Sequence, residues 1–174
     1  MCIRDSYKTI LFFHGNAGKL DNRVYKLNEL SKLEINYLII AYRGFSGNEG
    51  KPTESGLYED AKSAKIWLNN NGVKDKDIIL YGESLGTAVA VDLASKHKFA
   101  GIILESPFTS VTRLAQKYYP IFPVKIILKD KFDSINKIQK INSPLLVMHG
   151  EEDTIVPFSM GVKIFEKSNT QKSK

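Results

Sequence analysis

The feature that most constrains this chain is residues 77–97, DIILYGESLGTAVAVDLASKH, where a short apolar run meets a glycine-bounded turn and then a run of small residues. Residues 77–81 hold two Ile and one Leu, the pattern of a strand covered on both faces. After the turn, Ala88, Val91, Leu93 and Ala94 form a helical stripe, with small residues where a helix has to lie close to a sheet. Between the two stands GESLG, a GxSxG pattern centred on Ser84. A serine hydroxyl is a poor nucleophile unless a base takes its proton and the oxygen stands clear of the backbone. A sharp bend at the carboxyl end of a strand achieves the second condition, and Gly82 and Gly86 are small enough to let it close. The helix that follows brings its dipole and its free amino-terminal NH groups, so the NH of Leu85 can face a developing oxyanion. GxSxG arises by chance in roughly one chain in twenty of this size. What gives it weight is its placement between a buried strand and a small-residue helix, against the plainer alternative of a glycine-rich turn with a solvated serine.

The rest of the chain repeats the same alternation. Residues 7–13 (YKTILFF) read as a strand entering HGNAG, and Val24, Leu27, Leu30 and Leu33 mark a helix running from Leu20. Residues 35–42 form the next strand, followed by a glycine-rich loop that ends at Pro52. Leu57, Ala61, Ala64 and Leu68 share one helical face with Trp67 beside them, and that helix stops in the turn at 69–72. Residues 100–104 and 144–148 are two further buried strands, the last entering HGEED. Five strands alternating with helices predict an α/β fold with a doubly wound, mostly parallel sheet, because parallel neighbours need a crossover of a dozen or more residues. Between the last two strands lies an insertion, 106–142, whose middle YYPIFPVKIILKDKF is broken by two prolines and lacks a period. At the carboxyl edge of such a sheet it is either a cap over a ligand site or a helix pair packed on the sheet, and the residues favour neither.

Composition removes several classes of function. At 174 residues with 43% hydrophobic content the chain suits one domain with a sizeable core. Its net charge of +6 comes from 25 basic residues scattered among 19 acidic ones, without a basic run or interleaved aromatics, so nucleic acid is not an expected partner and a mild attraction to anionic surfaces is the most the charge supports. Cys2 is the only cysteine, which excludes a disulfide framework and a thiol metal site. No His, Cys or carboxylate cluster has metal-ligand spacing, so neither metal nor cofactor is expected. The longest apolar runs are far too short to span a bilayer. Residues 1–6, MCIRDS, lack the apolar core of a signal peptide and match nothing that follows, so they read as a non-native lead before a partial domain at 7–174.

Three strand ends therefore carry chemistry: residues 14–18, Ser84 and Asp153, all on one edge of a parallel sheet. The stretches FFHGNAG, YRGFSGNEGKPTESGLYEDAKSAKIWL, YGESLGTAVA, ILESPFTS and VMHGEEDTIVP resemble, in that order, the α/β-hydrolase superfamily, and within it the ABHD-type branch of esterase-like proteins and protein depalmitoylases. The resemblance implies a serine hydrolase acting on ester or thioester substrates, small or acyl, without a cofactor. It implies Ser84 as nucleophile, Asp153 as the acid that orients a histidine, and the backbone NH groups of Leu85 and Asn16 as oxyanion hole, with His14 shaping the oxyanion loop. Glu105, at the end of the preceding strand, is the rival acid, or else a carboxylate bracing the cap. Asp60 and Glu59 read as helix-surface or loop-bracing groups, and Arg43 as a partner for an acidic neighbour.

The chain departs from that family in one respect. The base should follow the acid in the order Ser, Asp or Glu, His. His14 and His149 precede glycines in strand-end loops, and His97 ends the nucleophile helix, so none of the three qualifies. The helix after Asp153 is expected from Gly161, with the chain ending before a further strand can form, so the sequence reads as truncated at both ends. Relatives often carry an N-terminal membrane anchor, which would lie ahead of this chain. Compartment and oligomeric state stay open. So does the choice among short-ester carboxylesterase, lysophospholipase, acyl-protein thioesterase and peptidase. The alternative is a non-catalytic α/β-hydrolase scaffold that binds a partner or ligand. The apolar residues of 118–132 suit either an acyl chain, with Lys125, Lys129 and Lys131 near an anionic interface, or plain core packing.

Overall fold

Side-chain alternation along five short apolar strands sets the architecture. In the computed structural model, which describes residues 8–17, 23–33 and 35–173, the elements run β1 (Thr9–Phe13), α1 (Val24–Ser31), β2 (Asn36–Ile40), α2 (Glu54–Asn70), β3 (Ile78–Glu83), α3 (Leu85–Ala94), β4 (Gly101–Glu105), α4 (Val111–Tyr118), α5 (Val124–Ile127), α6 (Ser134–Lys137), β5 (Leu145–Met148), α7 (Phe158–Lys167) and β6 (Lys172–Ser173). They build one sheet in the order β2-β1-β3-β4-β5-β6, with every pair parallel. The expected α/β architecture is the one observed, and the topology leaves an open sheet with β1, β3 and β4 at its centre.

The two faces of the sheet are covered unequally. Leu11, Phe13, Ile78, Leu80, Ile102, Leu104, Leu145 and Val147 point to one side and share a core with residues of α2, α3, α6 and α7. Ile10, Phe12 and Tyr81 point to the other, where Leu30 of α1 packs on them. The first face holds most of the stabilising burial, since fully burying one such side chain contributes ~1.5–3 kcal/mol. In α2 the four expected core residues, Leu57, Ala61, Ala64 and Leu68, are all buried, while Trp67 stays half exposed. Thr53 starts that helix by accepting a hydrogen bond from the NH of Gly56 at 3.2 Å, the usual remedy for an orphan first-turn donor.

The structure differs from the sequence reading in several places. Residues 86–94 of α3 are all buried, so it is a central helix rather than a striped one; sheet, α2 and α6 pack around it. Val24 and Leu33, read as core positions of the first helix, are exposed, and only the middle of that stripe reaches the sheet. A sixth strand does form: the two residues of β6 pair with Leu145 and Leu146. The loop between β2 and α2 is braced by the Asp60 carboxylate, which accepts from the Arg43 backbone NH at 2.9 Å and from its guanidinium at 2.6 Å. The expected non-native lead at 1–6, Leu20 and Gly18 lie outside the described residues.

The insertion packs differently in its two halves. Its second half packs inward: α6 contacts α3 and α7, and Phe132, Ile135, Ile138 and Ile141 join the main core. Its first half stays at the rim. Ser110 caps α4 by accepting from the NH of Arg113 at 3.1 Å, and at the other end of that helix the Tyr118 hydroxyl donates to the carbonyls of Thr154 and Ile155, at 2.7 and 2.8 Å.

Candidate active site

At the junction of β3 and α3 the backbone makes a bend that few side chains tolerate. Ser84 sits at φ 49° and ψ −113°, a positive φ that costs a residue with a Cβ on the order of 1–3 kcal/mol and persists only where the surroundings impose it. The imposition is visible. A Cβ on Gly82 would lie 2.5 Å from the carbonyl oxygen of Gly86, and a Cβ on Gly86 would run into the carbonyl of Phe13, so glycine at 82 lets the helix close onto β3 and glycine at 86 lets it approach the end of β1. The bend is then pinned by hydrogen bonds. The NH of Ser84 donates to the Glu105 carbonyl at 2.9 Å, and its own carbonyl accepts from the NH and hydroxyl of Thr87 at 2.9 and 2.6 Å. Ser84 makes no capping bond with its side chain and is only half buried.

The loop after β1 lies directly against this bend. A Cβ on Gly15 would sit 3.3 Å from the Cβ of Ser84, which puts the next residue, Asn16, at the edge of the same hollow. Leu85 is the first residue of α3, so its NH has no carbonyl one turn back to bond to. Among the described residues neither that NH nor the NH of Asn16 donates a hydrogen bond. The hollow has a volume of about 730 Å³ and is lined by Ser84, Asn16, Asp153 and Glu105, so the two candidate acids, the serine and the oxyanion loop converge.

Asp153 is held firmly. One carboxylate oxygen accepts from the NH groups of Ile155 and Val156 at 2.9 and 2.8 Å, and the other lies 3.5 Å from Nε2 of His149. Burial pushes its carboxyl up. The two NH groups, the Ser106 hydroxyl and the nearby His149 outweigh that and hold it below the ordinary carboxylate value. Ser106, at φ 50°, is a second strained serine; its NH donates to the carbonyl of Met148 at 2.8 Å, tying the end of β4 to that of β5.

Glu105 is committed elsewhere. Its carboxylate accepts from Lys26 and from the Tyr81 hydroxyl, both at 2.6 Å. Lys26 also donates to Glu83 at 2.9 Å, whose other oxygen accepts from Arg23 at 2.8 Å. Burial alone would raise the Glu83 carboxyl, but Lys26 and Arg23 hold it down; burial and the bond to Glu105 push the Tyr81 hydroxyl up. This charged floor escaped the sequence reading. Arg23 and Lys26 fall on a helix whose only legible signal was its apolar period, and nothing in their spacing points across the sheet to residues 83 and 105. As for the expectation that Glu105 braces the cap, the carboxylate in fact braces α1 and β3; it is Glu54 that holds the insertion, accepting from the NH groups of Lys131 and Phe132 at 2.7 and 2.9 Å.

None of the three histidines lines the hollow. His14 is buried against Tyr42 and Phe45, with Nδ1 2.8 Å from the Gly15 carbonyl, and burial keeps it neutral by lowering its pKa. Nε2 of His149 lies 2.9 Å from the Val156 carbonyl while Nδ1 is packed against Gly161. His97 follows the end of α3 and meets Phe99. What the hollow offers a reaction is therefore a strained hydroxyl, two unused NH groups and an oriented carboxylate. Among the described residues no three His, Cys, Asp or Glu side chains cluster as metal ligands.

Comparison with known proteins gives the family and the fold. Residues 30–174 match the model of the prolyl oligopeptidase family. The human alpha/beta hydrolase domain-containing protein 17B is 38% identical over 172 residues, covering 95% of this chain and 57% of that protein, so the chain spans little more than half of its relative's length. Two solved structures share the fold: an alpha-beta hydrolase from Vibrio vulnificus, with a TM-score of 0.77 at 24% identity over 95% of this chain and 65% of that one, and the Pyrococcus furiosus esterase Pf2001, with 0.76 at 22% over 97% and 73%.

Proposed function

The chain belongs to the prolyl oligopeptidase family of α/β-hydrolases, and from that premise we propose that it is the core of a serine hydrolase that cleaves carboxylic esters or thioesters through an acyl-enzyme on Ser84. The observation that carries the proposal is the strained Ser84 bend opening into a hollow shared with Asn16 and Asp153. In the first step a base removes the hydroxyl proton as Oγ attacks the substrate carbonyl, and the oxygen that becomes negative accepts from the NH groups of Leu85 and Asn16. The leaving alkoxide or thiolate takes the proton from the protonated base, and a water molecule then releases the acid by the reverse sequence. Asp153 serves as the acid partner. It holds its charge, and its second oxygen is the acceptor that would fix an imidazole's tautomer. Glu105 supports the charged floor instead, because its carboxylate is already shared between Lys26 and Tyr81. Esters are favoured over peptides because solved structures of similar shape include an esterase.

On this reading the base is a histidine outside these 174 residues, as none of the three present faces Ser84. The same observation favours the second reading, a scaffold that binds without turnover. A fluorophosphonate probe separates them: the whole protein is expected to be labelled on Ser84, and Ser84→Ala to abolish both labelling and ester hydrolysis. A folded whole protein that stays unlabelled would leave only the scaffold.

A further inference from the structure

The end of α4 and the short α5 form a ridge that the hydrolase core does not need. Ile121 is 93% exposed and Ile126 85%, with Phe122, Tyr119 and Ile127 each exposed by more than half. Residues 111–131 carry five basic side chains and one acidic one, hence four of the chain's six net positive charges. Arg113, Lys117, Lys125, Lys129 and Lys131 are all exposed, and among the described residues none of them has an acidic partner. The lone acid, Asp130, is turned inward and accepts from the NH of Glu54 at 2.8 Å. Apolar tips ringed by unpaired cations are what binding to an anionic lipid surface requires: aliphatic side chains enter the acyl boundary while lysines meet the headgroups.

We propose that this ridge, residues 118–127, docks the protein on an anionic bilayer, with Lys125 and the flanking Lys117, Lys129 and Lys131 against the headgroups. A soluble acyl chain would need a concave site, and side chains exposed this far form none. A second copy of the chain would set these cations against themselves across a symmetric interface. The ridge is also joined to the candidate site. Tyr118 bonds the carbonyls of Thr154 and Ile155, and Ile155, 71% exposed, lines the hollow that contains Ser84. Docking brings the mouth of that hollow to the membrane surface, whatever reaction takes place inside it.

Flotation of the whole protein with vesicles of phosphatidylcholine and phosphatidylserine tests this, with phosphatidylcholine alone as the neutral control. Binding to the anionic vesicles is expected to weaken with salt. Ile126→Asp should lose at least about tenfold in affinity, and Lys125→Gln and Lys129→Gln about fivefold each. Ser84→Ala should bind as the parent does, which separates docking from catalysis. Equal binding to neutral vesicles, full binding by the Ile126→Asp variant, or loss of binding in Ser84→Ala would overturn the proposal. So would light scattering that shows a dimer which Ile126→Asp converts to monomers.

Discussion

Two regions at the same edge of the sheet are built on opposite terms. At the β3–α3 bend every neighbour is close: two glycines admit the approach of the backbone, the strained serine is tied by its NH and carbonyl, and the helix behind it is buried from Gly86 to Ala94. At the α4–α5 ridge the chain turns large aliphatic side chains outward, and its cations have no acidic partner among the described residues. The first region spends close packing on placing one oxygen atom. The second contributes little to the fold, so its apolar surface is free for contact with something outside it. A residue's chemistry is thus a poor guide to its role until its surroundings are known: isoleucine is core in one place and surface in the other.

The largest test of that contrast concerns the acid. In the whole protein, Asp153→Asn is expected to lower ester turnover about 10⁴-fold, as when a triad acid can no longer hold its histidine in the right tautomer, while Glu105→Gln costs less than about tenfold because it only loosens the floor around Lys26. The reverse order, measured as kcat on a short nitrophenyl ester, would transfer the acid's role to Glu105. Asp153 also leaves a mark on stability. A carboxylate held below its unfolded value contributes stability above that value and loses it as the pH falls through the folded one. The parent should therefore lose stability on acidification below the ordinary value of 3.8, and Asp153→Asn should flatten that loss.

The bend itself gives the next effect. In Gly86→Ala a methyl group would meet the carbonyl of Phe13, a backbone atom that cannot swing aside, so helix and strand must part. Overpacking of this kind costs ~1–3 kcal/mol, measured as the shift in urea midpoint. Gly150→Ala, where a Cβ meets nothing within 4 Å, should stay within ~0.5 kcal/mol. Equal effects would mean that the approach of α3 to β1 is looser than the geometry requires.

The contrast also explains what was legible in the sequence. GESLG between an apolar run and a small-residue run encodes strand, bend and helix locally, and Asp153 follows its strand at the matching edge, so both could be found by pattern. The charged floor could not. Lys26 reaches Glu83 and Glu105 from 57 and 79 positions away, across the sheet, and no short-range spacing records such a contact. The strain at Ser106 was hidden for a similar reason, since its role comes from the neighbouring strand end through the Met148 carbonyl. In 118–132 the aperiodic apolar run gave no face at all, and only the folded chain separates the buried Val124 and Phe132 from the exposed Ile121 and Ile126.

That last separation yields the cleanest test, in which the ridge residue is expected to have almost no effect. Leu68 and Ile126 are both large aliphatics on helices, one at 0% exposure and the other at 85%. Leu68→Ala removes atoms from a packed core and leaves a cavity, so it should cost ~2–5 kcal/mol. Ile126→Ser removes atoms that were in water before and after folding, so its unfolding midpoint should move by no more than ~0.5 kcal/mol. If Ile126→Ser proved as costly as Leu68→Ala, the ridge would be covered in the folded protein, and its free apolar surface would no longer distinguish it from the bend beside it.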